Sequence, residues 1–191
     1  FDGGEVHVKN LTLGNYCNVD LDYRPRPELN RPRRGNAIVQ AQLAICNSNR
    51  VFCQNVRFIS RLNLCNFAGA RRALFLGCHM ECTDDALCAT GVYKDCTLEF
   101  YAPRPFGHTE GNGAVFLHCD ITSMSRGTQY FVKSRGPVAA IDTRIHGEHV
   151  RDCNWRDFPL REERYYHAGL LFNGSPCPMG SNSPQTRIPL T

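Results

Sequence analysis

Leu76-Gly77-Cys78-His79-Met80 and Leu117-His118-Cys119-Asp120-Ile121 are two copies of one short pattern, a thiol flanked at a distance of two residues on either side by apolar side chains. The same pattern, with a small polar residue allowed in place of the thiol, recurs as Val8-Lys9-Asn10-Leu11, Cys53-Gln54-Asn55-Val56-Arg57-Phe58, Lys94-Asp95-Cys96-Thr97-Leu98 and Ile141-Asp142-Thr143-Arg144-Ile145. Aligning the central residues gives Asn10, Asn55, Cys78, Cys96, Cys119 and Thr143, with steps of 45, 23, 18, 23 and 24. The first step is roughly twice the others, so one equivalent position returns about every 23 residues, the mark of a repeat architecture.

Within each copy apolar and polar residues alternate, the period of a strand with one buried face. Short strands at near-constant spacing, punctuated by Gly, Asn, Asp and Pro and without intervening helical patterns, predict an all-β fold: a single-stranded parallel β-helix, or solenoid. Equivalent residues of neighbouring coils then stack ~4.8 Å apart, and Cys78, Cys96 and Cys119 form an internal column beside Asn55 and Thr143. That spacing is within reach of a disulfide. Free cysteine also behaves as a small hydrophobe, and reduced packing thiols are the preferred reading. Residues 1–150 are expected to hold the coils, and 151–191 a lateral loop and a tail that packs on the solenoid or leaves it. Phe1 already stands in a strand-like stretch, so the coil series is expected to continue upstream as part of a longer solenoid.

Composition sets the outer limits. The chain has 191 residues, of which 42% are hydrophobic and 21% charged, and its formal net charge is +4. These are the proportions of an ordinary globular domain. The longest apolar runs, at Ala73–Leu76 and Ala168–Phe172, fall far short of the ~20 residues that cross a bilayer as a helix, and no membrane span is expected. A mild positive excess suits an acidic ligand without the dense basic stripe of a nucleic-acid binder. Eleven cysteines are an odd number, so at least one is free or externally paired. Cys78-x3-Cys82 lacks the second half of a zinc site, and phosphate-loop, dinucleotide and nucleophile-elbow motifs are absent. No metal and no cofactor are expected. Residues 23–36, rich in Pro and Arg, are expected to form an exposed basic excursion.

The stretch Ala73-Leu74-Phe75-Leu76-Gly77-Cys78, Thr83-Asp84-Asp85-Ala86-Leu87, Val92-Tyr93-Lys94-Asp95-Cys96, Phe106-Gly107 and Gly113-Ala114-Val115-Phe116 resembles the register of pectin methylesterases, right-handed parallel β-helix enzymes that remove methyl esters from polygalacturonate. The resemblance covers about a quarter of the chain. It implies that Asp85 stands at the family's acid Asp, with Asp84 where the family has Gln. Pro103, followed by Arg104, occupies the place of the second catalytic Asp. The family's Leu-Gly-Arg-Pro-Trp motif is absent, although Asn154-Trp155-Arg156 lies in a comparable region.

From the residues themselves, Asp84 and Asp85, followed one coil later by Arg104, His108 and Glu110, form the candidate constellation. A crowded carboxylate or a His supplies proton transfer near neutral pH, and a cation holds a carboxylate or developing oxyanion. Asp84, Asp85, Arg104 and His108 are therefore the candidate catalytic residues, and Asn63, Glu110, Trp155 and Arg156 the candidate substrate-binding residues. Competing roles exist for each: Asp84 and Asp85 can cap a turn, His108 and Arg104 can be solvated loop residues, and Trp155 can pack rather than stack on a sugar. The expected function is ester hydrolysis on an acidic, pectin-type polysaccharide by a secreted or periplasmic protein, with further domains of the same chain as its other partners. The alternatives are polygalacturonase-like hydrolysis or lyase chemistry, and a glycan-binding or structural β-helix without turnover.

Overall fold

The computed structural model describes residues 1–15, 27–29, 43–60, 67, 69–82, 90–104, 113–130, 137–155 and 164–177. The strands come in consecutive pairs. They are β1 (Glu5–Lys9) with β2 (Thr12–Asn15), β3 (Arg50–Gln54) with β4 (Arg57–Ser60), and β5 (Arg72–Leu76) with β6 (His79–Cys82). There follow β7 (Gly91–Lys94) with β8 (Thr97–Phe100), β9 (Ala114–Leu117) with β10 (Asp120–Ser123), then β11 (Gly127–Tyr130). The series ends with β12 (Val138–Ile141) and β13 (Arg144–His146), β14 (Val150–Asn154), β15 (Tyr165–Ala168) and β16 (Leu171–Phe172), and β17 (Ser175–Pro176). Helix among the described residues is confined to the single short turn Pro27–Leu29.

The protein is all-β, and its sheets are parallel. The first member of each pair belongs to a seven-stranded sheet, β1-β3-β5-β7-β9-β12-β15, and the second to an eight-stranded sheet, β2-β4-β6-β8-β10-β13-β16-β17. β11 and β14 make a separate two-stranded parallel sheet; β11 lies within the stretch expected to hold coils. β17 alone runs antiparallel, folded back on β16 by Asn173-Gly174. Both turn residues have positive φ, 47° and 81°, the conformation of a tight two-residue hairpin. The hairpin ends the larger sheet and shields one of its edges.

Alternation puts one face of each sheet inside. Cys53, Phe75, Tyr93, Phe116 and Ala140 are in register along the first sheet and each is fully buried. Phe58, Met80, Leu98, Ile121 and Ile145 do the same along the second. Phe75 stacks on Tyr93 with ring centroids 4.7 Å apart, and Tyr93 on Phe116 at 5.2 Å. In-register parallel strands place identical positions at about the thickness that stacked rings require. The outward side of the first sheet is also apolar, with Phe52, Val92, Val115 and Ala139 half-buried and Leu74 exposed.

One residue turns the chain from sheet to sheet. Asn10, Asn55, Gly77, Asp95, His118, Asp142 and Gly169 all lie in the left-handed region, with φ between 45° and 60°. Gly adopts this freely and Asn or Asp at low cost. The N–H of each of the first six donates to a strand carbonyl of the next strand pair, from Asn10 to Gln54 O through Asp142 to Ala168 O. The register thus corrects one expectation. Asn10 and Asn55 stand in this corner and not in the thiol column; the buried column one position later is Val56, Cys78, Cys96, Cys119, Thr143 and Leu170. Matching by residue type paired Asn with Cys, whereas the hydrogen bonds pair Asn55 with Gly77.

The column is closed chemically as well as sterically. The Cys78, Cys96 and Cys119 thiols donate to Cys53 O, Phe75 O and Tyr93 O at 3.5, 3.4 and 3.1 Å. Thr143 Oγ1 donates to Ile141 O at 3.0 Å, in the place where Cys119 Sγ donates to Leu117 O. All eight described cysteines are buried thiols outside any disulfide. The neighbouring Cys119 and Cys78 thiols, then burial, hold the Cys96 thiol well above its ordinary value, and burial does the same for Cys53. Residues 165–172, expected to leave the pattern, continue it: β15 and β16 extend both sheets, with Gly169 at the corner and Leu170 in the column. The two tyrosines and His167 hide the pattern, which the register of Tyr165 with Val138 and of His167 with Ala140 restores.

Candidate functional site

The outward face of the larger sheet carries the polar chemistry. Because Met80 and Cys82 point inward from β6, His79 and Glu81 point outward; Leu98 and Phe100 leave Thr97 and Glu99 outward from β8. The register aligns Arg57, His79, Thr97, Asp120 and Arg144 in one row and Glu81, Glu99, Thr122 and His146 in the next. Arg144 grips Asp120 with two nitrogens at 2.6 and 2.7 Å. That contact, followed by desolvation acting the other way, leaves the Asp120 carboxyl below the usual range. His79 Nδ1 shares a hydrogen bond with Thr97 Oγ1 at 2.9 Å, and its Nε2 lies 3.7 Å from Glu81 Oε2. Burial, then the Arg57 charge, lowers the His79 pKa against the opposing pull of Glu99. Tyr101 OH donates to Glu99 Oε1 at 2.8 Å.

The strand ends that precede the candidate residues lie side by side. Ser60, Cys82, Phe100 and Ser123 are successive register partners. The chain therefore runs on into 61, 83, 101 and 124 from side-by-side ends of one sheet. Tyr101 and Arg104 follow β8 and are exposed. Pro103, in the place the resemblance gives to a second acid, accepts hydrogen bonds at its carbonyl from Tyr130 N at 2.8 Å and Gln129 Nε2 at 2.9 Å. The Arg104 guanidinium lies over the Tyr130 ring, 5.4 Å from its centroid. Gln129 is itself buried; its Oε1 accepts from Ser123 Oγ and, at 2.9 Å, from Ser125 Oγ.

Of the eight candidate residues, Asp84, Asp85, His108, Asn63, Glu110 and Arg156 lie outside the described residues. Arg104 stands at the edge of the face just described. Trp155 is 3% exposed, stacked on Tyr165 at 5.2 Å and tilted against His167 at 5.9 Å. Its ring is occupied by packing, which corrects the expectation of a sugar platform there. His79, Glu81, Glu99, Tyr101, Gln129 and Tyr130 were missed by sequence reasoning. For Glu81 and Glu99 the signal was present: once Met80 and Leu98 are taken as inward, the repeat puts the two glutamates in one outward row. Gln129 and Tyr130 belong to β11, which lies outside both main sheets, and no spacing announces them.

Among the described residues no group of three or more His, Cys, Asp and Glu is arranged to hold a metal ion, and no helix is long and apolar enough to cross a membrane. The face offers carboxylates, imidazoles and guanidinium groups in fixed rows. Such a surface can bind a chain of acidic or hydroxylated units and exchange protons with it. No family model, curated protein or solved structure matches this chain.

Proposed function

We propose that the two sheets are the walls of a right-handed, single-stranded parallel β-helix, and that the end of the larger sheet acts on an acidic, pectin-type polysaccharide by carboxylate-assisted ester hydrolysis. In this reading the protein is secreted or periplasmic, where such polymers are met. The observation that carries the reading is the register pairing of Cys82 with Phe100: the chain leads from these two ends into Asp84-Asp85 and into Arg104. Asp85 serves as nucleophile or proton donor with Asp84 as its partner, while Arg104 and His108 orient a neighbouring uronate. Water adds across the ester carbon, the carbon–methoxyl bond breaks, methanol leaves with one proton, and a carboxylate and a second proton remain.

Glycosidic cleavage is the second reading, supported by Glu81 and Glu99 standing side by side on one face of adjacent strands, since paired carboxylates are the usual apparatus of that reaction. Binding without turnover is the third, supported by Pro103 at the position of a second acid and by the engagement of its carbonyl in backbone contacts. Incubating the full chain with highly methylated pectin, and following methanol and new reducing ends in parallel, separates them. Ester hydrolysis predicts methanol that is lost in Asp85→Asn. Reducing ends without methanol, or binding with neither product, overturns it.

A further inference from the structure

We infer that Gln129 and Tyr130 are positioning residues that hold Arg104 as the carboxylate-binding group of this site, a role that rests on the reading above. Arg104 stands on a segment held by the following coil region. Tyr130 supplies two of the holds, its N–H to the Pro103 carbonyl at 2.8 Å and its ring beneath the guanidinium at 5.4 Å. Gln129 supplies another, donating from Nε2 to Pro103 O at 2.9 Å and to Tyr130 O at 3.0 Å, which ties the arginine segment to the strand carrying the ring.

A primary amide has two N–H donors and two acceptor lone pairs. All four are used by Gln129: two donations to carbonyls, and two hydroxyls, Ser123 and Ser125, accepted at Oε1. Both hydroxyl protons are then spent on Oε1, and the 2.8 Å between the two Oγ atoms is a contact with no proton of its own. A buried polar network satisfied at every member is rigid and specifies one geometry. It costs desolvation that an apolar core would avoid, and its output here is a fixed placement of Pro103 and of the residue after it. A guanidinium over an aromatic face meets the ring with its π face and not with its N–H donors. It is a planar fork matched to a carboxylate, the group that every unit of an unesterified uronate polymer offers.

The test compares Tyr130→Phe, Tyr130→Leu, Gln129→Leu and Arg104→Gln in the full chain. Two readouts are used: the dissociation constant for an unesterified oligogalacturonate, and the NMR shift of the Arg104 side-chain Hε, which an underlying ring moves upfield. Tyr130→Phe is expected to match the parent in both. Tyr130→Leu and Gln129→Leu are expected to lose the upfield shift and to weaken binding about tenfold, as Arg104→Gln does, with the thermal midpoint of Tyr130→Leu nearly unchanged. Binding unaffected by Tyr130→Leu while Arg104→Gln weakens it overturns the positioning role and leaves the functional reading standing. A parent with the upfield shift but no affinity for the oligogalacturonate keeps the geometry, overturns the ligand, and sinks the functional reading with it.

Discussion

At the scale of single residues, the corner and the outward histidine carry the sharpest consequences. Gly169 has φ near 60°, and a Cβ there would run into the Asp142 side chain. Gly169→Ala is expected to cost the ~1–2 kcal/mol of a left-handed L-residue, because the Asp142 carboxylate it meets is an exposed side-chain end that can turn away, whereas Asp95→Gly, at an exposed corner of the same conformation, is expected to cost little or to stabilise. Urea unfolding midpoints of the two variants check this. His79 is held below its ordinary value of 6.5, chiefly by burial and then by Arg57. Between that lowered value and 6.5 the unfolded chain binds a proton that the folded chain does not. Stability contributed by the neutral imidazole is therefore complete above 6.5 and declines as pH falls across the interval. Unfolding free energies measured from pH 8 to 5 should show a slope that is smaller in His79→Gln.

At the scale of strands, packing decides more than propensity. Phe75 is fully buried, stacked on Tyr93 and edge-on to Phe58 at 5.8 Å, so it joins the inner faces of both sheets. Phe75→Ala is expected to destabilise by about 3–5 kcal/mol. Leu74→Ala, on the outward face of the same strand, should cost far less. Thermal or denaturant unfolding of the pair tests the inward assignment directly. This alternation was legible in His79-Met80-Glu81-Cys82, whereas all four residues of Ala73-Leu74-Phe75-Leu76 are apolar and only their burial separates Ala73 and Phe75 from Leu74. It was not legible in Tyr165-Tyr166-His167-Ala168, where an imidazole sits at the inward position and both faces read as aromatic. Nor could residue type alone tell the corner from the column at Asn55. Asparagine tolerates the left-handed conformation and also passes for a small polar core residue, and the positive φ, the exposure and the hydrogen bond from Asn55 N to Leu76 O separate the two.

At the scale of the whole molecule, the repeat does what single strands cannot: it carries residues far apart in sequence to neighbouring ends of one sheet. The sequence disclosed that logic through its thiol column, and with it the idea that loops one coil apart share a groove. It did not disclose the rows of Glu81 and Glu99 or of Asp120 and Arg144 as a candidate face, because each half of a row is an unremarkable polar residue until the register is known. Gln129 was hidden more deeply, since its importance comes from four hydrogen bonds made across three segments. The proposed site requires that Asp85 and Arg104, which follow paired strand ends, work together. A double-mutant cycle on methanol release, comparing Asp85→Asn, Arg104→Gln and the double variant by kcat/KM, measures that claim. Side chains that share a site are expected to be non-additive by about 1 kcal/mol or more, with the double variant much better than the product of the two single losses. Losses that simply multiply would place the two residues in separate environments and contradict it.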